Sequence, residues 1–265
     1  MRDLALRDLR GFIFDMDGVI YRGNAVLPGA AEFVANLRRA HIPFIFLTNN
    51  STTPADKVAA RLVGMGIPAA PREVLTSADV TAATVAGQLA GRRALVIGEE
   101  GIRRALLGQG FTLVERHAEA DLVVVGMDRE VTYARFQEAA LAIGRGAPFF
   151  ATNLDRNMPT EVGLIPGAGS LVGLLEIATG VKAASFGKPE PGIFLAALAR
   201  LDTPAGLTAA IGDRSETDIL GGQRAGLRTL AVLTGAGTAA EFAALRPGPD
   251  WVFRDLAALN LAYFG

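Results

Sequence analysis

The chain has 265 residues, half of them hydrophobic and 20% charged, with a formal net charge of −1 and no cysteine. That length admits one large domain or two ordinary ones, with enough apolar residues to bury a core without disulfides. The near-neutral balance argues against a polyanion-binding surface, so no nucleic-acid partner is expected, and the missing cysteines exclude disulfides, thiolate metal sites and a cysteine nucleophile.

The opening stretch MRDLALRDLRGFIF carries charges throughout and has no uninterrupted apolar core, so it does not read as a signal peptide. No run approaches the ~20 apolar residues of a membrane span. The expectation is a soluble cytoplasmic protein with no membrane partner. In chain order, short apolar runs that read as strands fall at 12–14, 44–47, 94–97, 122–125, 149–151, 209–211 and 229–233. Most are continuous rather than alternating, the pattern of parallel strands covered on both faces. Helical patterns at 30–40, 55–65, 133–144, 192–201 and 218–225 lie between them, so the chain reads as α/β with a parallel sheet. Helix ends agree with this reading. Thr53-Pro54 sets a capping hydroxyl before a proline, and Gly226 follows the 218–225 helix where a left-handed residue is wanted. Junctions near 76–79 and 179–185 enclose roughly 100 residues, enough for a second small α/β unit.

Four apolar runs or turns carry polar residues with chemical potential. In FDMDGV, Asp15 stands at a strand's carboxyl end, where ligands sit in parallel sheets. Asp17 lies two residues on and points to the same side if the chain stays extended. Two converging carboxylates repel unless a cation or shared proton intervenes, which suits magnesium; the alternative is an Asp-Gly turn. In FIFLTNNST, Thr48 and Asn49 offer a hydroxyl and an N–H to phosphate oxygens, or form a turn before Pro54. In SFGKPEPG, Lys188 is one of only three lysines and is held between Gly187 and Pro189; it is either a fixed ammonium or part of an exposed turn. In AAIGDRSETDILGG, Asp213 ends another strand, and Asp218 falls at a helix start, where an acid is favoured in its own right. Each stretch alone admits the plain alternative. Together they supply what is needed to bind a divalent cation and transfer a phosphoryl group through an aspartyl intermediate.

The stretches DMDGV, LTNNS, GKPEP and GDRSETD resemble the four motifs of the haloacid dehalogenase superfamily of phosphatases. YRGNAVLPGA, VVVGMDREVTY and ATNLDRNMPTEVGLIPGAGS resemble its NagD and p-nitrophenyl-phosphatase branch, and the resemblance covers nearly the whole chain. It implies a Rossmann-like three-layer core with a parallel sheet, built from 1–81 and 180–265, and an inserted α/β cap over 82–179. It further implies Asp15 as nucleophile and Asp17 as the acid and then base. Mg2+ would be held by Asp15, the Asp17 carbonyl and Asp213, with Asp218 supporting through bound water. Thr48 and the Asn49 N–H would grip the phosphoryl oxygens, and Lys188 would balance charge. Gly18, Asn49, Asn50, Asp155 and Arg156 make up the expected substrate-binding set. Asp155 and Arg156 lie with Asn153 and Asn157 in a polar cluster that either faces the substrate or is a solvated loop. Arg156 would pair with a second anionic group. Relatives often dimerise through the cap, so a homodimer is the expectation by resemblance.

A second aspartate in the first motif fits ester hydrolysis, where an alkoxide leaving group must be protonated, better than dehalogenation. His41 and His117 match no motif, and Trp251 reads as a packing residue. A phosphomutase would carry a helical cap after the first motif, but only 21–29 precede the next helix. A phosphoryl-accepting signalling module would be about half this length, and a vestigial binding protein would lack a motif residue. Substrates consistent with the motifs span nucleoside monophosphates, phosphoglycolate, pyridoxal phosphate, glycerol phosphates and sugar phosphates.

Overall fold

A computed structural model describes residues 5–160 and 163–265. Residues 1–4 of the opening stretch and 161–162 of the ATNLDRNMPTEVGLIPGAGS stretch lie outside the described residues. The chain begins with β1 (Gly11–Phe14), the short hairpin strands β2 (Tyr21–Arg22) and β3 (Ala25–Val26), α1 (Ala30–Arg39), β4 (Phe44–Thr48), α2 (Ala55–Gly64) and β5 (Val74–Thr76). It continues through α3 (Ser77–Gln88), β6 (Arg93–Ile97), α4 (Glu100–Gly108), β7 (Thr112–Val114), β8 (Leu122–Val125) and α5 (Tyr133–Gly144). Next come β9 (Phe149–Ala151), β10 (Asn157–Thr160), β11 (Gly163–Pro166), α6 (Ala168–Thr179) and β12 (Ala184–Ser185). It ends with α7 (Pro191–Leu201), β13 (Thr208–Gly212), a π-helical turn (Ser215–Ile219), α8 (Leu220–Arg224), β14 (Arg228–Val232), α9 (Ala239–Ala244), β15 (Trp251–Phe253) and α10 (Leu256–Phe264).

These elements group into two compact units. The first comprises Met1–Thr48, Asp56–Leu75 and Lys188–Gly265, the second Asn49–Ala55 and Thr76–Gly187. In the first, six strands run in the order β15-β14-β13-β1-β4-β5. The pairings from β15 to β4 are parallel, with Phe14 level with Ile211 on one side and Phe46 on the other. All residues of β1, β4 and β13 are buried, as continuous apolar runs require when both faces are covered. α1 buries Ala30, Phe33, Val34 and Leu37, the spacing of one helical stripe. Phe33 meets Phe12 edge-on at 5.4 Å, Phe14 at 5.8 Å and Tyr263 of α10 at 6.2 Å. Phe33→Ala empties the centre of this aromatic cluster, and urea unfolding is expected to show a loss of about 3–5 kcal/mol.

The second unit is a five-stranded parallel sheet ordered β12-β9-β8-β6-β7. Alternate residues serve opposite faces. Leu95, Ile97, Val123 and Val125 pack with Phe136, Ile143, Val172 and Leu175 of α5 and α6. Ala94, Val96, Leu122 and Val124 pack with Val85, Ile102 and Leu106 of α3 and α4. This unit is wider than 82–179 at both ends. α3 supplies Ala78 and Ala82 to its core, and β12 pairs with β9.

The expected helix at 218–225 is corrected. A π turn runs from Ser215, and α8 begins only at Leu220. The wide turn is closed by the Ile219 N–H donating to the Arg214 carbonyl at 3.3 Å. Gly226 adopts φ +74°, as a helix C-terminus favours. Trp251 is half-buried in β15, which pairs on one side with β14 at the end of the sheet. Among the described residues, no helix is long and apolar enough to cross a membrane.

Candidate active site

The first unit places its polar residues where its sheet reverses direction of growth. From β1 the chain adds β4 and β5 on one side and later β13, β14 and β15 on the other, and ligands of such sheets sit outside the carboxyl ends of the strands at that switch point. Asp15 extends the ladder one residue past β1, its N–H donating to the Ile211 carbonyl at 2.8 Å. Asp213 follows β13 directly, and buried Thr48 is the last residue of β4. Parallel register therefore carries three sequence-predicted residues to one edge.

Lys188 completes the group from 173 residues away. Its Nζ donates to Asp15 Oδ1 and to Asp218 Oδ1, both at 2.6 Å. The ammonium is 5% exposed. Burial alone would pull its pKa down, but the two carboxylates outweigh that and hold the lysine charged above its ordinary range. Burial pushes the Asp15 and Asp218 carboxyls up to about 6 despite the lysine. Asp213 is also raised, by burial first and then by the nearby Asp218 charge.

Asp218 turns back over the strand it follows. A Cβ at Gly212 would lie 2.0 Å from the Asp218 Cβ, so only glycine fits between strand end and π turn. Asp218 Oδ2 accepts from the Arg214 N–H at 3.1 Å and the Thr217 hydroxyl at 3.3 Å, so both its oxygens are engaged. Asp213 differs. Its Oδ2 accepts from the Ala236 N–H at 2.6 Å, whereas its Oδ1 is buried with no hydrogen-bond partner. Carboxylate oxygens of Asp15, Asp213 and Asp218 lie within 4.8 Å of one another.

Asp17 is exposed at the mouth of this group, with backbone pairing to Tyr21. Gly18, next to it, has φ +84°, and a Cβ there would lie 2.6 Å from Asp213 Oδ2. Gly18 thus serves close approach between the DxD loop and Asp213, a contact that the Asp-Gly pair only hinted at as a turn. The loop after β14, Thr234–Gly237, also reaches Asp213, though no sequence motif marks it. It supplies the Ala236 donor, and the Gly237 N–H donates to the Asp213 carbonyl at 2.8 Å. Small residues after an apolar strand were the available signal.

The remaining predicted residues lie in the second unit. The Asn49 side-chain amide donates to Asp155 Oδ1 at 3.3 Å and Oδ2 at 3.1 Å. Asn153 is 4% exposed, and its amide donates to the Asn49 carbonyl at 2.8 Å. It is therefore not a solvated side chain, but a buried one that satisfies a backbone carbonyl. Asn50 Oδ1 accepts from the N–H of Thr52 at 2.9 Å in a local turn. The Arg156 side chain is exposed, while its carbonyl accepts from Gly167 and Ser170. His117 is tied to Glu138 through its ring at 2.7 Å, which accounts for one of the unplaced histidines.

The chain matches two family profiles, one described as haloacid dehalogenase-like hydrolase over residues 12–112 and one as HAD-hydrolase-like over residues 185–259. It is 42% identical to the 5′-nucleotidase YutF of Bacillus subtilis over 230 residues, 87% of this chain and 89% of that protein. A solved glycerol phosphate phosphatase of Mycobacterium tuberculosis, in complex with magnesium, superposes with a TM-score of 0.90 at 37% identity, covering 96% of this chain and 77% of that one. NagD from Escherichia coli superposes with a TM-score of 0.88 at 32% identity over 94% of this chain and 97% of its own. With the parallel sheet, the strand-end aspartates and the buried lysine, these matches identify the chain as a member of the haloacid dehalogenase-like hydrolases, a NagD-like phosphatase of that family.

Proposed function

We propose that the protein hydrolyses small phosphate monoesters with Mg2+ as cofactor and Asp15 as nucleophile. The observation that carries this reading is the buried Lys188 ammonium shared by Asp15 and Asp218 beside an Asp213 oxygen with no partner. An unsatisfied carboxylate oxygen at a buried position is costly, and a hard divalent cation is the group that three oxygen donors suit. Asp15 and Asp213, with the Asp17 carbonyl, would hold it. Asp218, both of whose oxygens already accept hydrogen bonds, would act through water. Bound there, the cation supplies charge neutralisation for the phosphoryl oxygens and the nucleophile.

The chain's own residues perform the rest. Lys188 holds one Asp15 oxygen, which orients the other for attack on phosphorus. The ester P–O bond breaks as the Asp15–phosphorus bond forms, and Asp17 gives its proton to the departing alcohol oxygen. Asp17, now a carboxylate, takes a proton from water, whose oxygen attacks phosphorus and frees Asp15 and inorganic phosphate. Thr48, at the end of β4, offers its hydroxyl to the phosphoryl group. Nucleoside monophosphates and glycerol phosphate are the first substrates to assay, since relatives are named for them.

Hydrolysis of p-nitrophenyl phosphate is expected to require Mg2+ and to stop with EDTA; full turnover in EDTA sinks the reading. A second readout needs no turnover. Asp15 and Asp218 bind protons more tightly in the fold than in the unfolded chain, so without a cation stability falls as pH rises from about 4 through about 6. Mg2+ replaces those protons. Its gain in Tm should therefore be small at pH 5 and grow toward pH 7.5, and a gain that shrinks over that range contradicts the assigned ligands.

A further inference from the structure

The hairpin formed by β2 and β3 has two residues per strand, too few to be stable by itself. Yet its first residue is buried: Tyr21 is 4% exposed. Two arginines secure it. The Arg22 guanidinium donates to the Thr234 carbonyl at 2.5 Å, on the loop that also holds Asp213. Arg61 comes from α2. Its guanidinium lies over the Tyr21 ring, 4.5 Å from the centroid, and its Nη2 donates to the Gly23 carbonyl at 2.6 Å.

The held residue is the one that fixes Asp17. Tyr21 pairs with Asp17, and its carbonyl accepts from the Gly18 N–H at 2.8 Å. The Gly18 carbonyl accepts from the Thr234 hydroxyl at 2.6 Å. The DxD loop is thus pinned toward Asp213 through Gly18 and Thr234, and on its Tyr21–Gly23 side by Arg61.

We propose that Arg61 is a positioning residue for Asp17: stacked on Tyr21 and bonded to Gly23, it holds the hairpin whose backbone sets Asp17 at the mouth of the site. This rests on the assignment of Asp17 as the proton donor. Arg61 contacts Tyr21 and Gly23, on the Asp17 side of the loop, so its effect should fall on the leaving group rather than on the nucleophile.

The test compares Arg61→Met and Arg61→Lys with Asp17→Asn on p-nitrophenyl phosphate and on glycerol phosphate. An aryl leaving group departs without protonation, whereas an alkoxide needs a proton donor. Arg61→Met is expected to lower kcat on the alkyl ester by about 10- to 100-fold, a fraction of the 10²–10⁴-fold that a positioned acid contributes. The loss on the aryl ester should be several-fold smaller, with KM little changed on either. Arg61→Lys, which keeps a cation over the ring, should recover part of the alkyl activity. In an Asp17→Asn background, Arg61→Met should add no further selectivity. Equal losses on both esters, or none, overturn the proposal. If Arg61→Met fails to fold, judged by a lost Mg2+-dependent Tm gain, the lysine variant decides by the same ratio. If Asp17→Asn is itself unselective, the assignment of Asp17 has failed. If Asp17→Asn is selective and the Arg61 variants are not, only the role of Arg61 has failed.

Discussion

Asp15→Asn is expected to abolish turnover, with a loss on the order of 10⁴-fold or more, the scale seen when a covalent nucleophile is removed. The substitution is nearly isosteric, and its carbonyl oxygen can still accept from Lys188, so the geometry at 2.6 Å has a ready replacement. What is lost is the carboxylate charge, and a neutral amide does not attack phosphorus. The fold should not suffer. Asp15, Asp213 and Asp218 crowd three carboxylates within 4.8 Å, and removing one relieves repulsion. The metal-free variant should therefore melt at or above the wild-type temperature while being inactive. Intact-mass measurement after acid quench supplies the complementary readout: wild type mixed with a slow substrate should carry one added phosphoryl group, and the variant none. Residual activity within a hundredfold of wild type, or a phosphorylated variant, would remove Asp15 from the nucleophile's role.

Lys188→Met should damage both activity and stability. The lysine is almost wholly buried, and its ammonium offsets two carboxylates at once. Removing one partner from a buried ionic group typically costs about 3–5 kcal/mol, because the other charges stay behind. The chain can escape part of this by protonating Asp15 or Asp218, whose carboxyls already titrate near 6. That escape disables the nucleophile. We expect a loss on the order of 10²–10³-fold in kcat at neutral pH, the scale for removing one charge-stabilising donor. The activity that remains should move to higher pH, since Asp15 must be ionised to attack. Lys188→Arg should not restore it, because a planar fork does not bring one nitrogen to 2.6 Å from two carboxylates that converge on a point charge. Urea unfolding and a pH–rate profile check both halves. Wild-type stability in the methionine variant would show that the buried triad is not held by the lysine.

Much of this site is legible in the sequence for a simple reason. Strands buried on both faces are written as continuous apolar runs, and the polar residue that ends such a run marks the edge of the sheet. Asp15, Thr48 and Asp213 are found this way, because parallel pairing aligns strand ends that are far apart in the chain. The second sheet follows from the same logic, with odd and even residues of β6 and β8 dividing between two helical pairs.

Other features depend on where separate segments meet, and no local pattern encodes that. Lys188 sits in a loop, and only the packed fold carries its ammonium between Asp15 and Asp218. Asp218 resembled a helix-starting acid by its neighbours, but the π turn folds it over Gly212 and makes it part of the charged group. Asn153 belongs by sequence to a polar cluster that either faces the substrate or is solvated, and the fold buries it against a backbone carbonyl. Arg61 lies in the last turn of α2, and its stacking on Tyr21 needs two segments forty residues apart to be brought together in space. Periodicity and strand ends, which are local, therefore determined the fold class and the address of the proposed nucleophile. The partners that set charge and aim were decided by tertiary structure, because electrostatics and hydrogen bonding depend on distance through space and not along the chain.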